Sequence, residues 1–120
     1  MQGQEQQLRE ALVAIAAETF RLRQVFERAI SRLEEEEQAR YMSQYGWFSR
    51  RVNRAMEQAG LRLLDPAGQL YDPGMAVTPL NLEEFEPQDR LYVEQTIEPI
   101  VMGEDRVLKT GTVILGRTEK

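Results

Sequence analysis

The 120-residue chain contains no cysteine and no histidine. The first absence excludes a disulfide scaffold. Together the two absences remove the usual ligands of zinc and copper, along with the commonest general base near neutral pH. Twenty Asp and Glu residues are present, but no spacing among them singles out a carboxylate pair for hydrolysis or a set of oxygen ligands for magnesium. The chain is therefore expected to bind rather than catalyse, with no cofactor and no metal. Long apolar runs are missing too. The helix-like run Leu12 to Ala17 falls far short of a hydrocarbon core roughly 30 Å thick, so no membrane partner is expected. The opening Met-Gln-Gly-Gln-Glu-Gln-Gln lacks the basic start and apolar core of a secretory signal, and the expected compartment is the cytoplasm.

Positive charge is scarce in the second half. Residues 1–60 carry nine acids against nine arginines, whereas 61–120 carry eleven acids against six bases and hold the whole net charge of −5. A surface of that sign repels a phosphate backbone, so no nucleic-acid partner is expected. Arg50, Arg51 and Arg54 cluster in the first half. Without a Gly-rich loop beside them they read as a solvated helix face, not a phosphate clamp.

What is present divides the chain into a helical segment over 1–60 and a small β domain over 61–120, an α+β arrangement. Leu8, Leu12, Ile15, Thr19, Leu22, Phe26, Ala29 or Ile30, and Leu33 recur on one helical face, predicting a helix over about 5–38. Val13, Phe20 and Val25 widen the stripe toward what a helix needs inside a bundle. One helix cannot bury such a stripe alone, which makes a homodimer the economical expectation, with Leu12, Ile15, Leu22, Phe26 and Ile30 as dimerisation residues. Phe48, Val52, Ala55, Met56 and Ala59 form a second helical face, predicted over about 44–59 and ending at Gly60. Gly46 costs roughly 1 kcal/mol inside a helix, so the turn is expected within 38–46. One long bent helix is the alternative. Two such hairpins would make a dimeric four-helix bundle. Glu34 to Glu37 read as a solvated helix end. Tyr41, Tyr45, Trp47 and Phe48 near the turn are expected to pack in the core, with aromatic recognition as the second reading.

Two Asp-Pro pairs mark the passage from helix to sheet. Asp65-Pro66-Ala67-Gly68 fits a type I turn, and Asp72-Pro73-Gly74-Met75, with Gly at its third position, fits a type II turn. Leu61, Leu63 and Leu64 read as a short strand, Tyr92 to Ile97 and Val107 to Leu115 as longer ones, and Pro99 as a bulge or edge position.

Taken in order, "VFERAI" (Val25 to Ile30), "AMEQAGLRLLDPAGQLYDP" (Ala55 to Pro73) and "RVLKTGTVIL" (Arg106 to Leu115) resemble the C-terminal part of the GrpE family, the nucleotide exchange factors of DnaK-type chaperones. The resemblance covers about residues 20 to 117. The chain departs from the family in four places. Met75-Ala76-Val77 stands where the family usually has a His, Pro99-Ile100 where it has Gly-Tyr, Lys109 near its Arg, and Gly111 near its Ala. The family's long N-terminal coiled coil is short or absent. The resemblance implies a homodimeric co-chaperone whose β domain and adjoining helix bind the nucleotide-binding domain of a DnaK-type chaperone and promote ADP release by stabilising its open form. By matched motif it implies Asp72, Pro73, Arg106 and Leu108 as partner-binding residues, with Met75 as an apolar neighbour. A divergent adaptor or assembly scaffold of the same fold, without exchange activity, is the alternative.

Overall fold

The computed structural model describes residues 2–118. Two helices precede a small β region, an α+β architecture. The chain divides into two compact units, one running through Arg62 and one starting at Leu63.

In the first unit, helix α1 spans Gln2–Ile30 and helix α2 spans Glu35–Gln58. The predicted extents of 5–38 and 44–59 are thereby corrected, because the break falls at residues 31–34 and not within 38–46. The acidic run explains the shift. Glu34 is the extended N-cap residue of α2, and Glu35, Glu36 and Glu37 occupy its first turn, where unsatisfied N–H groups and the helix dipole favour negative charge. The run starts a helix instead of ending one. Gly46 accordingly lies inside α2, and a Cβ placed there would approach the flexible Arg50 guanidinium at 3.4 Å. No packing demand keeps it small.

The helices pair antiparallel. The Tyr45 hydroxyl donates to the Glu27 carboxylate at 2.5 Å, the Phe26 and Tyr45 rings stack at 5.8 Å, and the Gln38 amide donates to the Ile30 carbonyl. At its far end α2 stops as the sequence predicts. Gly60 takes φ 77°, its N–H bonds the Glu57 carbonyl, and the Leu61 N–H reaches back to Met56, the paired bonds of a Schellman cap.

In the second unit six short strands form two three-stranded sheets. Strands β1 (Arg62–Leu64), β4 (Ile100–Met102) and β5 (Val107–Lys109) make one, in the order β1-β4-β5. The other, in the order β2-β6-β3, holds β2 (Val77–Pro79), β3 (Leu91–Glu98) and β6 (Gly111–Arg117). Strand β6 is central, parallel to β2 and antiparallel to β3. Pro79 sits on an edge strand, where no ladder donor is needed. Val93, Val113 and Leu115 are the buried centre, with Tyr71, Met75, Val77, Phe85 and Leu91 packed on it. Pro99, fully buried, stands between β3 and β4, where the chain leaves one sheet for the other. A residue without an N–H suits that gap better than the bulge or edge position expected of it.

The two Asp-Pro turns exchange their expected types. The first closes one residue later, Gln69 N–H to Pro66 carbonyl, with Gly68 at φ 90°. The second closes as expected, Met75 N–H to Asp72 carbonyl, but Gly74 has no positive φ. The carboxylates decide this: Asp65 accepts from the Ala67 N–H and Asp72 from the Gly74 N–H, each fixing the two residues that follow it. Asp65 also accepts the hydroxyl of buried Thr96 at 2.6 Å.

Two glycines provide contrasting tests. A Cβ at Gly111 would lie 2.9 Å from the Glu98 carbonyl oxygen and 3.2 Å from Ile100, so Gly111→Ala is expected to destabilise by about 1–3 kcal/mol. Gly46→Ala is expected to stabilise by about 0.5–1 kcal/mol, since it removes backbone entropy and meets only a mobile guanidinium. Urea denaturation of both variants measures the opposite signs.

Candidate functional site

On α1 the apolar stripe read from the sequence is not the line that the single chain buries. Ala16, Ala17 and Ile30 are buried and Val13, Phe20, Arg23 and Gln24 half-buried, whereas Ile15 is 61% and Leu22 64% exposed. Leu8, Leu12 and Val25 are exposed with them, and Phe26 is 38% exposed. Four of the five dimerisation residues thus lie open on one hairpin face, while Ile30 is covered by its own chain at 3% exposure. On α2 the half-buried positions Gln38, Tyr41, Tyr45, Val52 and Met56 keep Val52 and Met56 of the expected face, whereas Phe48, Ala55 and Ala59 are exposed. Leu22, Phe26, Tyr45 and Phe48 line a groove of about 270 Å³ between the helices.

Of the four aromatic residues on α2, Tyr45 packs as expected and Tyr41 is half-buried, but Trp47 is 58% exposed and Phe48 also lies open. The Arg51 guanidinium sits over the Trp47 ring at 4.8 Å and Arg40 over Tyr41 at 5.1 Å. Core packing of Trp47 within the chain is therefore corrected. Position 47 lies almost opposite the line Gln38–Tyr45–Met56 at 100° per residue.

In the β unit the partner-binding residues fall into two groups. Asp72, Pro73 and Met75 share one turn. The Asp72 side chain serves the turn itself, and the Asp72 backbone N–H donates to the Met75 sulfur at 3.3 Å. Met75 lies half-buried against the core cluster. Arg106 and Leu108 belong to the β4–β5 hairpin, closed by the Gly103 N–H on the Arg106 carbonyl at 2.7 Å. Arg106 is exposed, whereas the half-buried Leu108 folds over Gly103. Among the described residues no hydrogen bond or ion pair joins the two groups. Lys109, close by, pairs with Glu98 at 2.9 Å, and Thr112 donates to the same carboxylate.

Pro73 alone of these five lines a cavity of about 580 Å³ in the unit, with Leu70, Tyr71, Leu82, Phe85 and Arg90. Sequence reading passed over this groove, because its apolar residues are interleaved with acids in Leu82 to Leu91 and follow neither helical nor strand periodicity. Asn81, next to Leu82 in the chain, bonds strand β6: its side chain donates to the Leu115 carbonyl and accepts from the Leu115 N–H.

Among the described residues no group of three or more acidic side chains is placed to hold a metal ion, and no helix is long and apolar enough to cross a membrane. No protein-family model, curated protein or solved structure matches the chain.

The helix pairing has a titration signature. Burial, reinforced by the hydrogen bond to Glu27, pushes the Tyr45 hydroxyl from 10.0 up to about 12. A raised folded-state value means that this stabilisation is complete below pH 10.0 and is lost as pH rises through about 12. Thermal melts across that window are expected to fall more steeply for the native chain than for Tyr45→Phe.

Proposed function

We propose that the chain is a GrpE-like co-chaperone. Two copies associate through the helical unit, and the β unit binds the nucleotide-binding domain of a DnaK-type chaperone and promotes ADP release by stabilising its open form. The observation that carries this reading is the open stripe Leu8, Leu12, Ile15, Leu22 and Phe26 on a helix hairpin that leads into a small β unit. Apolar rows of that length on a single chain mark a surface meant for a partner, and a second hairpin supplies a matching row by symmetry. The helix stop at Gly60, the two Asp-Pro turns and strand β5 lie within the stretches on which the resemblance is drawn. The mechanism needs no chemistry. Preferential binding to the open chaperone shifts its equilibrium by the difference in affinity between the two states and no further. In this reading Arg106, exposed at a hairpin tip, meets the chaperone.

A second reading, a divergent adaptor or scaffold of this fold without exchange activity, draws on a specific feature. Asp72 and Met75 are occupied inside their own turn and core, which leaves that stretch with less to offer a chaperone.

The experiment is release of a fluorescent ADP analogue from the cognate DnaK-type chaperone, followed by stopped flow against a concentration series of this protein. Saturable acceleration is expected, with Arg106→Ala weakening the apparent affinity about tenfold, an effect of about 1.4 kcal/mol. No acceleration by a folded dimer would overturn exchange and leave the adaptor. Separately, Ile15→Glu with Leu22→Glu is expected to give a helical monomer in sedimentation, since both side chains are open in the single chain. A dimer that persists would place the association elsewhere.

A further inference from the structure

Helix α2 carries a second surface that neither the hairpin seam nor the proposed dimer face uses. Arg40, Trp47, Arg51, Arg54 and Gln58 recur at spacings of seven, four, three and four residues and are all exposed, so they form one ladder along the helix. At 100° per residue the ladder runs nearly opposite the inner line of Tyr45 and Met56, and Trp47 lies about 100° around the helix from Phe48 of the groove. Association through the groove therefore leaves this face open.

Its chemistry is specific. Between residues 38 and 58 the chain has four arginines, Arg40, Arg50, Arg51 and Arg54, against the single acid Glu57, within a protein of net charge −5. Arg50, Arg51 and Arg54 make no ion pair among the described residues. Arg40 reaches Glu37 only at 3.9 Å, with both side chains more than half exposed, a weak pair. The Arg51 guanidinium is held over the Trp47 ring, which reduces the freedom lost when it binds a carboxylate.

We propose that this face binds an acidic segment of a partner protein. Carboxylates engage Arg51, Arg54 and Arg40, and an apolar side chain lies on the open part of the Trp47 ring. Charge complementarity selects the occupant: unpaired guanidiniums on an otherwise acidic protein attract a short carboxylate-bearing stretch. A nucleic acid, with one charge per about 1.7 Å of duplex, is repelled by the remainder of the chain. Exposed Trp and Arg together are also the residue types that carry binding energy at protein interfaces. The inference does not depend on the exchange reading.

Trp47 is the single tryptophan of the chain, so its fluorescence reports this face directly. The full chain is titrated with a short synthetic peptide of alternating Glu and Leu, with the same peptide carrying Lys for Glu, and with single-stranded oligothymidylate. A saturable change with the Glu peptide is expected, weakening as salt is added and absent with the Lys peptide. Arg51→Glu combined with Arg54→Glu is expected to weaken binding at least about tenfold with helicity unchanged. If that reversal of charge unfolds the helix, Arg51→Gln with Arg54→Gln makes the same comparison. The proposal is overturned by no saturable response to the Glu peptide, by equal binding to the folded double variant, or by tighter binding of the oligonucleotide.

Discussion

The placement of Tyr45 between Glu27 and Phe26 is the contact on which the helical unit depends. One hydrogen bond and one ring stack fix the antiparallel register of α1 and α2. A helix whose register is fixed has no remaining freedom over which side chains face inward. On α1 that choice falls on Ala16, Ala17 and Ile30, and the longer row of leucines stays outside. Small residues at the seam allow close approach of the helices, while large apolar residues on the neighbouring face are left without cover. The same geometry sends Trp47 and its arginines to the far side of α2. Three surfaces of different character thus follow from one pairing: a seam, an apolar face and a basic aromatic ladder.

The β unit is held by a different device, polar side chains that stand in for missing strands. Asn81 pairs both backbone groups of Leu115, and the Asp65 carboxylate receives the hydroxyl of buried Thr96 together with the Ala67 N–H. Glu98, at the end of β3, takes Lys109 from β5 and Thr112 from β6, so one carboxylate ties strands of both sheets. In a unit of this size the apolar core centres on Val93, Val113 and Leu115, and buried polar groups with partners supply the specificity that a larger core would provide. Such pairs fix the close approach of β6 to the β3–β4 junction, which is why a glycine stands at position 111.

Much of this architecture can be read from local pattern. The two helices, the stop at Gly60, the strand over Tyr92 to Ile97 and the Asp-Pro turns each rest on interactions within a few residues of sequence, and each is found near its expected place. Misplaced features share a cause. The helix break was drawn to Gly46 by its intrinsic cost, roughly 1 kcal/mol, when the acidic run offered the stronger signal of a helix start. The turn types were drawn from glycine position, when carboxylates bonding two residues ahead set the backbone. The groove of Leu70, Leu82 and Phe85 is not legible in the sequence because its walls come from segments with no common periodicity.

By itself the sequence determined the class of the protein. A chain without cysteine or histidine, with a helical apolar stripe followed by punctuated β segments, becomes helices and then a small sheet region, since periodicity and turn chemistry act locally. Tertiary structure alone decided which side of each helix is used. A stripe of leucines looks the same from sequence whether its own chain or another covers it, and an arginine cluster looks the same whether or not a tryptophan supports it. Only the register set by Tyr45, a contact across eighteen positions of the chain, distinguishes the face that is spent on folding from the faces that the single chain leaves open.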